Sequence, residues 1–200
     1  WEMTEKLTSK NTSTPVMKQY WQSKRSYPDS IMLFRMGDFY ETFEEDAIIT
    51  SKILGITLTK RANGAASSVP LAGFPFHSLD QYLYKLLNSG YKVALCEQVE
   101  DPKMSKGIVK REVVEILSPG TAISSKFLIN DENNYLGSFF IKDNNIGYSI
   151  IDNSTGEVFC GETIIANIKN IINKYQLKEI IIPEFQKDQV SGIVNNDLML

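Results

Sequence analysis

One histidine and two cysteines in 200 residues exclude a good deal before any pattern is sought. A structural zinc site takes four Cys/His ligands, so His77, Cys96 and Cys160 all but exclude one. A nucleophile–histidine pair would have to use His77. That residue follows Gly73-Phe74-Pro75-Phe76 near a predicted helix N-terminus, where histidine caps or packs. Two cysteines are too few for a disulfide framework, and both read as small core hydrophobes in a reducing compartment. No apolar run approaches the ~20 residues that cross a bilayer, and the opening WEMTEKLTSK lacks the apolar stretch of a signal peptide. The string G-x-x-x-x-G-K-[ST] does not occur, so no phosphate-binding loop of that kind is expected. With 21 Lys and Arg against 24 Asp and Glu, the net charge of −3 excludes a simple polycationic nucleic-acid binder. A chain that opens on Trp1 instead of Met is expected to be an excised piece.

What is present is ordinary for a globular chain: 42% hydrophobic and 22% charged residues. A chain of this length buries roughly 70% of the surface its unfolded form exposes. The charge is uneven. Residues 1–120 carry 15 basic and 14 acidic side chains, and residues 121–200 carry 6 and 10. Any nucleic-acid role must therefore rest on a local patch or on shape.

The first ~13 residues are polar and expected to fray. Thr14 as N-cap and Pro15 at N1 then open a helix with Val16, Met17, Tyr20 and Trp21 on one face, ended by Tyr27-Pro28-Asp29. Ile31-Met32-Leu33-Phe34 is a run suited to a strand buried on both faces. After Gly37-Asp38 the pattern predicts a helix over 39–54, closed by Gly55, with Asp38 as N-cap. A strand over 56–59, a small-residue loop over 62–68 and a helix over 78–88 follow, then strands over 92–99 and 111–117. The alternation argues a mixed α/β class, a mixed sheet flanked by helices. Pro119-Gly120 and the polar stretch to Asn133 read as a linker. Beyond it, short strands over 135–141, 146–151 and 157–161 form a meander, followed by a helix over 165–175 and a strand over 179–182. That order is the opening of a ribonuclease-H-like α/β fold, truncated at residue 200.

Several positions could carry chemistry. Glu41, at N3 of the predicted helix, fits a capping box with Asp38, and Phe39 lies at the edge of that helix's core stripe. The alternative is that Phe39 is an aromatic wedge entering a minor groove, with Glu41 accepting a hydrogen bond from a base edge. Lys60 and Arg61, before a run of small residues, are either a solvated basic turn or a phosphate contact. Lys106, Lys110 and Arg111 form a similar basic cluster around Gly107. Asp143, Asp152 and Glu157 raise a metal-dependent nuclease as a second reading, although turns recruit Asp routinely.

The string Arg35-Met36-Gly37-Asp38-Phe39-Tyr40-Glu41-Thr42-Phe43 closely resembles the mismatch-recognition motif of the bacterial MutS family. Leu58-Thr59-Lys60-Arg61, the run from Pro70 to His77, Ala94-Leu95-Cys96-Glu97-Gln98, the run from Lys103 to Gly107, and Ser118-Pro119-Gly120-Thr121 continue the resemblance in order. It implies a mismatch-recognition domain over 14–118, a linker over 119–133 and a partial connector domain over 134–200. It also implies that Phe39 stacks on a mispaired base from the minor groove of kinked DNA while Glu41 hydrogen-bonds that base. Lys60 and Arg61 would lie near the DNA backbone. No catalytic residue, metal or cofactor is implied for this chain, which would bind mismatched double-stranded DNA and no membrane. ATP and magnesium binding, homodimerisation and recruitment of MutL, in the bacterial cytoplasm at the nucleoid, are implied for the whole protein.

Overall fold

Pro15 opens the first helix, α1 (Pro15–Ser26), in the computed structural model, which describes residues 14–63, 66–100, 107–121 and 133–194. Thr14 precedes it as expected, but its hydroxyl does not cap the helix. The Thr14 backbone N–H instead donates to Asn63 Oδ1 at 3.0 Å. The chain divides into two units, 1–86 with 92–116, and 87–91 with 117–200.

In the first unit a six-stranded mixed sheet has the order β3-β4-β2-β1-β5-β6. Its strands are β1 (Ser30–Met36), β2 (Phe39–Phe43), β3 (Thr59–Asn63), β4 (Ala66–Pro75), β5 (Lys92–Gln98) and β6 (Arg111–Leu117). The run from Ile31 to Phe34 is buried on both faces because β1 is central, parallel to β5 and antiparallel to β2. On one face Met17 and Tyr20 of α1 pack on Met32, Phe34, Phe43, Val69, Ala94 and Cys96. Tyr20 meets Phe34 and Phe43 edge to face and donates from its hydroxyl to the Phe43 carbonyl and to Asp46 Oδ2, both at 3.2 Å. Asp46 also accepts from Lys24 Nζ and from the Met32 N–H, each at 2.9 Å. A buried carboxylate thereby takes the β1 N–H just beyond the last β1–β2 pair, Phe34 with Glu41. On the other face Tyr40 and Phe74 are buried, and Tyr82 of α3 (Leu79–Asn88) meets the Phe74 ring at 4.7 Å.

Three expectations fail here: first, residues 56–58 are not strand, because β3 begins only at Thr59. Residues 39–43 are strand, and the helix α2 (Glu44–Leu54) starts only after them. Gly37, at φ +58, makes a two-residue turn between the paired Met36 and Phe39, so the chain folds back as a hairpin. Phe39-Tyr40-Glu41-Thr42-Phe43 then alternates between the two sheet faces. Glu41 is therefore no N3 residue, and Asp38, exposed in the turn, caps nothing. The predicted small-residue loop over 62–68 is largely the β3–β4 hairpin, with Gly64 and Ala65 outside the described residues. Pro70 is tolerated within β4 because β2 pairs only with residues Leu71 to Pro75.

In the second unit β7 (Tyr135–Lys142), β8 (Asn145–Asp152) and β9 (Val158–Ile164) form the predicted antiparallel meander, with β10 (Glu179–Ile181) parallel to β7. Helix α4 (Ile168–Tyr175) buries Ile168 and Ile171 against Phe139, Ile141, Ile146 and Ile150. A short helix α5 (Lys187–Ser191) follows. The Pro119-Gly120 turn is buried: the Gly120 N–H donates to Glu179 at 2.9 Å, and its carbonyl accepts from Asn134 and Asn153. Residues 122–132, the rest of the predicted linker, lie outside the described residues.

Candidate functional site

Burial falls along β2 toward the turn. Phe43, Glu41 and Phe39 share the sheet face on which α1 packs. Phe43 is fully buried, Glu41 is half-buried, and Phe39 is 47% exposed. Exposure alone does not mark Phe39, since Phe140 of β7 is 51% exposed; what marks it is its place at the turn.

The turn that presents Phe39 has its backbone groups taken. Arg35 Nε donates to the Gly37 carbonyl at 2.5 Å, and the Phe76 N–H donates to the Asp38 carbonyl at 2.9 Å. Arg111 Nε donates to the Arg35 carbonyl at 2.6 Å. With its amide oxygen turned toward them, Gln98 accepts from the Gly37 N–H at 3.3 Å and from Arg111 Nη2 at 3.0 Å. Arg111 Nη1 donates to the Val109 carbonyl at 2.8 Å, and the guanidinium lies 5.2 Å from the Phe34 ring centroid. Burial lowers the Arg111 pKa without discharging it. On the opposite face the Arg35 guanidinium stacks 3.9 Å over Phe76, and Tyr40 donates to Glu97. Burial and that Glu97 contact raise the Tyr40 pKa, keeping the hydroxyl a donor.

Glu41 lies two strands away from Arg61, yet Arg61 Nη1 donates to Glu41 Oε2 at 2.8 Å. Gly73 makes this possible. It is the β4 partner of Glu41, and a Cβ there would stand 3.0 Å from the Tyr40 carbonyl oxygen and 3.3 Å from Glu41 Cγ. Burial raises the Glu41 pKa, while Arg61 and then Arg111 act to lower it. Lys60 is exposed, and strand alternation sends it to the other face of β3. The structure thus gathers Phe39, Glu41 and Arg61 on one face and leaves Lys60 off it. Arg111, read from sequence only as part of a basic cluster, serves the turn; Lys106 of that cluster lies outside the described residues. No sequence spacing marks Arg111 or Gly73, whose roles depend on which strands pair.

The other candidates do not assemble. Asp152 is buried, and its Oδ1 accepts from the N–H groups of Asn134 and Ser154 and from the Ser154 hydroxyl, while Oδ2 accepts from Thr155. Burial acts to raise its pKa, but these hydrogen bonds hold its carboxyl below the usual range. Asp143 sits at φ +55 in the exposed β7–β8 turn, and Glu157 is exposed. Among the described residues, no three His, Cys, Asp or Glu side chains are grouped to hold a metal ion. His77 is exposed in a 3₁₀ turn beside Phe76. Cys96 is buried as expected, whereas Cys160 is exposed, because it lies on the uncovered face of β9. Among the described residues no helix is long and apolar enough to cross a membrane.

Comparison with known proteins places these features in a family. A family model described as MutS domain I matches residues 14–126. Among curated relatives, a DNA mismatch repair protein MutS of Phocaeicola vulgatus is 49% identical over 179 residues, covering 90% of this chain and 21% of the relative. Proteins of the same name from Porphyromonas gingivalis and Fervidobacterium nodosum are 47% and 48% identical, again over 90% of this chain and 20% and 21% of their own lengths. The chain spans about a fifth of the length of the curated relatives it matches.

Proposed function

The chain belongs to the MutS domain I family, and from that premise we propose that it is a mismatched-DNA binding module in which Phe39 is the minor-groove wedge. The observation that carries this is the half-exposed Phe39 ring on a turn braced from both faces, with Glu41 two residues along on the same face.

The physics of the duplex supplies the selectivity. Wedging an aromatic ring between paired, stacked bases costs a few kcal/mol. At a mispair or an unpaired base part of that cost is already met, so the same ring enters more easily there. Discrimination then comes from deformability, with little readout of base identity. Glu41 adds a second test. A carboxylate carried into an anionic groove is repelled unless a base edge offers it a donor, which disfavours perfect duplex more than a mispair.

On this reading the module catalyses nothing. ATP and magnesium binding, homodimerisation, MutL recruitment and work at the bacterial nucleoid belong to the whole protein and are assigned to no residue of this chain.

The test is Phe39→Ala in the full-length protein that carries this chain, with equilibrium binding to matched and singly mismatched duplexes. The preference for the mismatch should vanish, while stability changes by no more than about 0.5 kcal/mol, as for other exposed positions. A preference as large as in wild type would overturn the wedge. A loss of several kcal/mol of stability would instead make Phe39 a core residue.

A further inference from the structure

Arg61 is committed to a carboxylate in the free protein, which is not how a residue serving only as a phosphate contact would be kept. Its bond to Glu41 is 2.8 Å long, and the two side chains retain 33% and 19% of their exposure. The pair crosses an intervening strand through the lane that Gly73 leaves open. The end of β3 is held in place independently: buried Asn63, past a register shift from Arg61, accepts from the Thr14 N–H at 3.0 Å. Arg61 is thus delivered to Glu41 by an anchored strand end, and its guanidinium reaches there over the Phe43 ring, at 5.9 Å.

We propose that Arg61 is a specificity-determining residue, an electrostatic latch on Glu41 that moves to the DNA backbone only when a mispaired base takes the Glu41 carboxylate. This rests on the reading of Phe39 and Glu41 given above. Closed, the pair presents no net charge to the duplex, so the Glu41 repulsion that disfavours perfect DNA is felt only as the latch opens. Opening it against perfect DNA would leave the carboxylate beside phosphates without a donor. At a mispair the base edge supplies the donor, and the freed guanidinium gains a phosphate. An ion pair this exposed is worth at most about fivefold in an equilibrium constant, weak enough to be exchanged.

The salt dependence of binding reads the latch directly, because each phosphate neutralised contributes about −0.9 to the slope of log K against log salt. In the full-length protein, a mismatched duplex should give a slope steeper by about one than its matched counterpart. Arg61→Met should make the two slopes coincide, and Arg61→Lys should restore the difference. Glu41→Gln, with the latch open throughout, should give the matched duplex the steeper slope and a several-fold higher affinity. Coincident slopes in the wild type would overturn the latch, as would a difference that survives Arg61→Met. The wild-type comparison needs no variant to fold, and thermal unfolding checks each variant used. If the mismatch preference survives both Phe39→Ala and Glu41→Gln, the wedge reading itself has failed. If those substitutions abolish it while the wild-type slopes coincide, only the latch has failed.

Discussion

Glu41, Phe34 and Cys96 occupy one row across the first sheet, and their chemistry is set by depth along that row. At Glu41 burial raises the carboxyl pKa more than the Arg61 and Arg111 guanidinium groups bring it down. Cys96 is fully buried, and burial pushes its thiol up to about 11, more than the Ser23 contact and Arg111 bring it down. At pH 8 roughly one thiol in a thousand would be thiolate there, and the reagent could not reach it. An aromatic disulfide reagent at pH 8 should therefore label Cys160 alone in the folded chain and Cys96 only after denaturation. Two thiols reacting at equal rates in the native protein would show that Cys96 is not held in the core.

The β1–β2 hairpin is the element on which the site depends, and Arg111 is its brace. Replacing Arg111 with Ala removes hydrogen bonds from a charged donor, worth about 1.5–3 kcal/mol each at most. Amide exchange at Gly37 should accelerate by more than the global loss of stability explains, and mismatch preference should fall although Phe39 is intact. Arg111→Lys should recover this only in part, since an ammonium lacks the fork that reaches both the Arg35 carbonyl and Gln98. Unchanged exchange at Gly37 would remove Arg111 from this role. The elements themselves were unequally legible in the sequence. Strand β1 and helix α1 could be read from Ile31-Met32-Leu33-Phe34 and from Thr14-Pro15, because local pattern and tertiary environment agree there. Strand β2 reads as helix in the sequence because its apolar and polar residues also suit a helix continuing into Glu44. Only the pairing of Phe39 with Met36 and Pro75 decides otherwise. β4 was hidden by Pro70, Gly73 and Pro75, residues that normally argue against a strand. Phe39 and Glu41 were named from sequence, but their shared face, and Arg61 beside them, depend on register and could not be.

At the scale of the whole chain, charge limits what these residues can do alone. Residues 1–120 carry 15 basic and 14 acidic side chains, and residues 121–200 carry 6 and 10. Nonspecific affinity grows with the number of phosphates neutralised, and tight binders neutralise several. In the first unit Arg61 is engaged by Glu41, Lys24 by Asp46 and Lys110 by Glu112. Arg35 and Arg111 are occupied with the backbone of the turn. The cations nearest the turn are thus committed within the protein, and a wedge and latch there would act on DNA that other contacts hold. The isolated 200-residue chain should accordingly bind duplex DNA weakly, with little distinction between matched and mismatched sequences. Fluorescence anisotropy at ~0.15 M salt checks this, since exposed charges are largely screened beyond about 8 Å there. Sub-micromolar, mismatch-selective binding by the isolated chain would mean that its own surface grips the backbone. The near balance of charge over residues 1–120 would then be a poor guide to the potential around Phe39.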